Sequence, residues 1–281
     1  MRQSPNTRAE EAAHIVKQVE SLGIAIHPSS RLMQMKKVLE HGYIEFDNPK
    51  FPIAMESIRD MYQIRLILDE SNSHRSNLLF QDSLKKLLRD AALPHKGNSN
   101  TPGRDTQFEM YLGAIAERGG LTPTEYAEPD IVCIVNENKF GIAAKRLKGI
   151  KRLKKRVKKG AKQICESKMP GIIALDLTLA QNPTNQPITS SIQSQFSHVI
   201  SEAKNRQLLK DHEHDIYKWF ADSGVRALLI FEFMFRVNPD NGSWIHNGMM
   251  CWFPTTHGIR KDELELAAFQ KGFLKGVPDL L

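Results

Sequence analysis

From Asp105 to Leu177 the chain reads helix, strand, strand, helix, strand, and this order constrains its fold more than any other feature of the sequence. A helix is expected over Asp105–Arg118, with Asp105 or Thr106 as its cap and Gly119-Gly120 as its stop. Two β-rich runs follow, Asp130–Val135 and Phe140–Ala144, and Asn136-Glu137-Asn138-Lys139 between them suits a hairpin turn. A long helix is expected from Gly149 to Ser167, because Ile150, Leu153, Val157, Ala161 and Ile164 recur at helical steps and leave one narrow apolar stripe. Gly171–Leu177 is a continuous apolar run of strand length, the mark of a buried strand. Such an order predicts an α/β domain with a mixed central sheet flanked by helices.

Upstream of this core, residues 8–93 carry helical periodicity and sparse Gly. Helices are expected at Ala9–Leu22, Ser30–His41, Pro52–Leu68 and Asn72–Leu93, the last with Phe80, Leu84, Leu87, Leu88 and Ala91 on one face. The chain therefore divides into a helical N-terminal region (1–93), a breaker-rich linker (94–104) and the α/β domain (105–281). Within the last, Ser190–Asp222 reads as one long helix or a broken pair. Val225–Val237 is a very apolar strand, turned by Asn238-Pro239-Asp240-Asn241-Gly242 into a second run, Ser243–Thr255. Glu263–Leu274 reads as a closing helix.

Charge is concentrated in one segment. Lys145, Arg146, Lys148, Lys151, Arg152, Lys154, Lys155, Arg156, Lys158, Lys159 and Lys162 make eleven basic residues with no acid among them. Removing these eleven from the net +7 leaves the rest of the chain at −4. Like charges at helical spacing repel one another, so this helix needs an anionic partner to offset them. Phosphate backbone is the natural one, and all ten basic residues from Arg146 to Lys162 are candidate contacts. The segment has no aromatic residues, which favours backbone contact over base stacking.

Four polar residues stand at particular places in the core: Glu109 on the first helix, Asp130 after Pro129 at the mouth of the first strand, Lys145 at the end of the second, and Gln163 on the basic helix. This arrangement resembles the PD-(D/E)XK nuclease superfamily, which shares a restriction-endonuclease-like fold, over about 75 residues from Asp105 to Thr178. The resemblance implies a metal-dependent nuclease acting on DNA. Glu109 and Asp130 would be ligands of Mg²⁺ or Mn²⁺, Lys145 catalytic and Gln163 supporting. It also implies a role in defence against foreign DNA. One position departs from the family: the acid two residues before the lysine is Ala143 here. A displaced carboxylate from Glu109, Glu128 or Asp176 would restore the ligand set. Otherwise the protein is a degenerate member that binds nucleic acid without cutting it. A third alternative is a structural subunit whose basic helix docks on an acidic protein surface.

Other chemistries lack a sequence signal. The three cysteines are dispersed and form no CxxC pair, so neither a zinc ribbon nor a disulfide framework is expected. No GxSxG or GxxxxGK[ST] pattern occurs. His212 and His214 are two residues apart and face different ways on a helix. No apolar run approaches the length of about 18 residues that a membrane span needs, and a polar N-terminus leads to the expectation of a cytoplasmic protein. A homo-oligomer, or a partner protein bound through the N-terminal helical region, completes the expected partners.

Overall fold

The computed structural model describes residues 5–41, 48–74, 76–90, 101–183, 186–189, 195–237, 244–255 and 260–278. Four helices come first: α1 (Pro5–Ser21), α2 (Arg31–Glu40), α3 (Phe51–Glu70) and α4 (Leu78–Leu87). Then follow α5 (Pro102–Arg118), β1 (Ile131–Val135), β2 (Asn138–Arg146), α6 (Leu153–Ser167), β3 (Gly171–Asp176), α7 (Thr178–Gln181) and β4 (Ile188–Thr189). The chain ends with α8 (Gln195–Asp211), α9 (Glu213–Phe220), β5 (Val225–Val237), β6 (Trp244–Pro254) and α10 (Arg260–Gly276).

The strands form one mixed sheet with the main path β1-β2-β3-β5-β6. The β1–β2 and β5–β6 pairs are antiparallel, and β2–β3 and β3–β5 are parallel. Two-residue β4 pairs in parallel with the end of β5, at Arg236 and Val237. The β1–β2 turn is the expected hairpin. Asn136 and Glu137 both take positive φ, 47° and 67°, which is what a two-residue turn between right-twisted strands demands. α6 crosses from β2 to parallel β3, as such a connection must.

Alternation along the strands gives the sheet two cores. Ile142, Ala144, Ile172, Ala174, Leu229 and Phe231 face one side, in a cluster that also holds residues of α1–α5 and α10. Ala143, Ile173, Leu175, Leu228 and Ile230 face the other, with Leu153, Val157, Ala161 and Ile164 of α6 and Ile216, Trp219 and Phe220 of α9. The α6 stripe is buried much as its periodicity predicts, except that Ile150 is half-buried in a 3₁₀ turn ahead of the helix. Gly160 lets α6 approach the sheet closely, since a Cβ there would lie 3.0 Å from Ile173 Cγ1.

Some boundaries differ from the expectation. α5 begins at Pro102, inside the stretch read as linker, because proline is well suited to the first turn of a helix; residues 94–100 lie outside those described. α4 starts late, at Leu78, where the Asn77 side chain accepts the Leu79 N–H. The long helix of 190–222 is the broken pair α8–α9, interrupted at His212.

Candidate active site

β1 begins at Ile131, opposite Ile142, so the outer edge of β2 beyond Ile142 has no strand partner among the described residues. Asp130 fills the gap. Its Oδ2 accepts the Ala144 N–H at 2.8 Å, as the carbonyl of a neighbouring strand would. The same oxygen accepts from Lys145 Nζ at 2.5 Å, and Lys145 also donates to the Ala144 carbonyl at 2.9 Å. From α6, Gln163 Nε2 reaches Asp130 Oδ1 at 3.1 Å, the Pro129 carbonyl at 2.7 Å and Glu128 Oε2 at 2.9 Å. Asp130 thus bonds both Lys145 of β2 and Gln163 of α6, although 33 residues separate Asp130 from Gln163.

Glu109 comes from α5 and is half-buried. Burial, and next the charge of Asp130, push its carboxyl up to about 7, and Lys145 and Lys86 oppose that rise. Burial likewise raises Asp130, with Lys145, the Ala144 N–H and Gln163 offsetting part of the effect. Two carboxyls that resist ionisation, a buried ammonium and a half-buried amide therefore share one electrostatic neighbourhood.

Two residues go elsewhere. Arg146, expected on the basic surface, points to the opposite face of β2 from Lys145 and is only 7% exposed. Its Nε donates to Asp176 Oδ2 at 2.7 Å, so it is not available to nucleic acid. Asp176 is held there by Arg146 and by the Thr178 N–H at 2.9 Å, away from Asp130. Glu128 reaches the cluster through Gln163, from an exposed position. Of the remaining basic residues, Lys151, Arg152, Lys154, Lys155, Lys158, Lys159 and Lys162 are exposed, and Lys148 and Arg156 are half-buried. Lys162 pairs with Glu166 at 3.5 Å.

Continuing the β1–β2 register puts Asp130 opposite Ala143, two residues before Lys145. Ala143 is fully buried among apolar residues of the α6 side. Among the described residues, no group of three or more His, Cys, Asp or Glu side chains is arranged to hold a metal ion. The donors at hand are the carboxylates of Glu109 and Asp130. Beside them is the Gln163 Oε1, which is buried with no hydrogen-bond partner. That set is all oxygen and carries at most two charges. It fits a hard cation that keeps several waters, as Mg²⁺ does with one or two carboxylates, and the orphaned amide oxygen fits a donor such as cation-bound water.

Lys86 of α4 also borders this neighbourhood, and nothing in the sequence around it signals that position. Only the packing of α4 on α5 brings it there. Comparison with protein-family models, with curated proteins and with solved structures gives no match for this chain.

Proposed function

We propose that the protein is a metal-dependent nuclease, with a restriction-endonuclease-like core, that hydrolyses phosphodiester bonds of DNA. The observation that carries this reading is the meeting of Asp130, Lys145 and Gln163 at one open sheet edge, with Glu109 beside them and a basic helix supplying one of the four. Glu109 and Asp130 would hold Mg²⁺ or Mn²⁺. The cation would supply charge neutralisation at the reacting phosphate and a lowered pKa for attacking water. Lys145, itself only 6% exposed, brings its Nζ to the same spot, where an electrostatic interaction is little screened by water. Gln163 fixes the Asp130 carboxylate through its amide nitrogen, and its amide oxygen is buried without a partner. The exposed lysines of α6, with Lys151 and Arg152 just ahead of it, hold the DNA backbone without reading its sequence. A role against foreign DNA follows from the family resemblance alone.

Incubation of the purified protein with plasmid DNA and Mg²⁺ or Mn²⁺ tests the reading. Cleavage is expected, and Asp130→Ala and Lys145→Ala should each lower it by at least about 100-fold, the scale of losing one charge-stabilising group. Salt-sensitive binding with no cleavage by the wild type would replace the nuclease with a non-cutting DNA-binding protein. The buried alanine at position 143 favours that second reading.

A further inference from the structure

α4 and α5 pack on one face of the sheet and α6 on the other, so cations reach the Glu109–Asp130 centre from two distant parts of the chain. On one side is α6. Gln163 touches Asp130, and Lys159 and Arg156 lie one and two turns back along the same face of the helix. On the other side is the last turn of α4. Its position is set by Gly103: a Cβ there would lie 2.8 Å from the Lys86 carbonyl oxygen and 2.9 Å from that of Leu87. The Arg104 N–H also donates to Asp90 Oδ2 at 2.8 Å. The end of α4 therefore presses on the first turn of α5, the helix that carries Glu109 about 9 Å further along its axis. Lys85 is engaged with Asp82 at 3.1 Å. Lys86 is exposed, and no ion pair or side-chain hydrogen bond among the described residues occupies its ammonium. Its charge acts on the Glu109 carboxylate.

We propose that Lys86 belongs to the substrate site and holds a backbone phosphate on the side of the Glu109–Asp130 centre opposite α6. The inference rests on the nuclease reading for its substrate. A chain end offers phosphates to one wall only. Cations on both walls suit an internal segment, with phosphates on each side of the reacting one, so the site takes internal linkages. The end of α4 is then part of the binding surface rather than an appendage to it.

The test compares wild type, Lys86→Ala, Lys86→Arg and, as a control for lost charge, Lys17→Ala, an exposed position on α1. Affinity for a fluorescein-labelled DNA duplex is measured without divalent cation over a range of KCl concentrations. Cleavage of circular plasmid is then followed with Mn²⁺. Lys86→Ala should lower the slope of log K against log salt by about 0.9, the value of one phosphate contact. It should raise KM several-fold with kcat little changed, and Lys86→Arg should restore both. A slope and KM for Lys86→Ala equal to those of Lys17→Ala would overturn the proposal while leaving the nuclease standing. A wild type that binds but never cuts would sink the nuclease, and the slope alone would then decide for or against Lys86. Exclusive attack on linear ends, with circular plasmid resistant, would overturn the internal-linkage claim. Melting curves for the four proteins separate loss of contact from loss of fold.

Discussion

Glu109 keeps its proton into the neutral range because its burial opposes ionisation and, next, because the charge of Asp130 is near. Its carboxyl lies at about 7, against an ordinary value of 4.5. Between those limits the folded protein holds a proton that the unfolded chain has released, so stability declines as pH rises through that window, and the full cost applies above it. Glu109→Gln is neutral at every pH. It should therefore be more stable than wild type at pH 8, by on the order of 1–3 kcal/mol, and equal to it near pH 5. Thermal melts at the two pH values check this, and coincident curves at pH 8 would show that the repulsion is screened away. A substitution that stabilises the fold while removing a proposed metal ligand is what a functional site, held against its own stability, leads one to expect. At this scale the sequence is readable in placement: Lys145 and Gln163 both bond Asp130, and the charge of Asp130 reaches Glu109. It misled at Arg146, which was counted with the charge run. Successive strand residues point to opposite faces, so a buried, inward Lys145 sends Arg146 to the other side, where Asp176 meets it.

At the scale of the element, α6 shows how a helix can be well placed and poorly stabilised at once. Leu153, Val157, Gly160, Ala161 and Ile164 anchor it on β2 and β3. Its outer face stacks Lys154 above Lys158 and Lys158 above Lys162, each pair at a spacing of four. Lys158→Glu converts two like-charge contacts into two attractive ones. It should raise stability by a few tenths of a kcal/mol per pair and weaken DNA binding, with a smaller salt slope. Opposite signs of the two effects, read by melting and by anisotropy, would identify the lysines as kept for binding. Weakened binding together with weakened folding would point to a structural use of the charges. The apolar period of α6 was legible because it is set by contact with a flat sheet. The starts of α4 and α5 were less so. Asn77 outcompetes an earlier start by capping, and Pro102 begins a helix from within a stretch whose Gly, Asn and Pro read as a break.

At the scale of the molecule, a buried ionic cluster ties the N-terminal helices to the sheet. Asp60 of α3 is fully buried and accepts from Arg31 of α2, from Arg59 at 3.1 Å and from Arg104 at 3.4 Å. Gln107 of α5 adds a hydrogen bond at 3.1 Å. Glu56 pairs with Arg59 and with Arg104, the latter at 3.5 Å. Burial and the nearby Arg31 pull Arg104 down to about 10, a sign of how crowded the guanidiniums are. The charges of Arg59 and Arg146 also reach Asp176, so the cluster extends to the end of β3. None of this was legible in the sequence. Arg31, Glu56, Arg59 and Asp60 sit on amphipathic helices where a charged residue reads as solvated surface, and only the folded chain shows them facing inward. Removing one member leaves the others buried and unpaired, so Asp60→Ala should cost about 3–5 kcal/mol. The arginines hold both Asp60 and Asp176 below the ordinary carboxylate value of 3.8. The unfolded chain takes up those protons first as the medium becomes acid. The stabilisation is thus complete above about pH 4 and drains away below it. Melting temperatures from pH 7 to pH 2 should fall steeply below pH 4 in the wild type. They should fall less steeply in Asp60→Ala, which has already lost the larger share. Parallel pH profiles for the two proteins would mean that the carboxylates are solvated and that the apolar core alone joins the helices to the sheet. Arg31 of the cluster also donates to the Leu87 carbonyl at the end of α4, at 3.3 Å, so the cluster helps fix where Lys86 stands relative to α5.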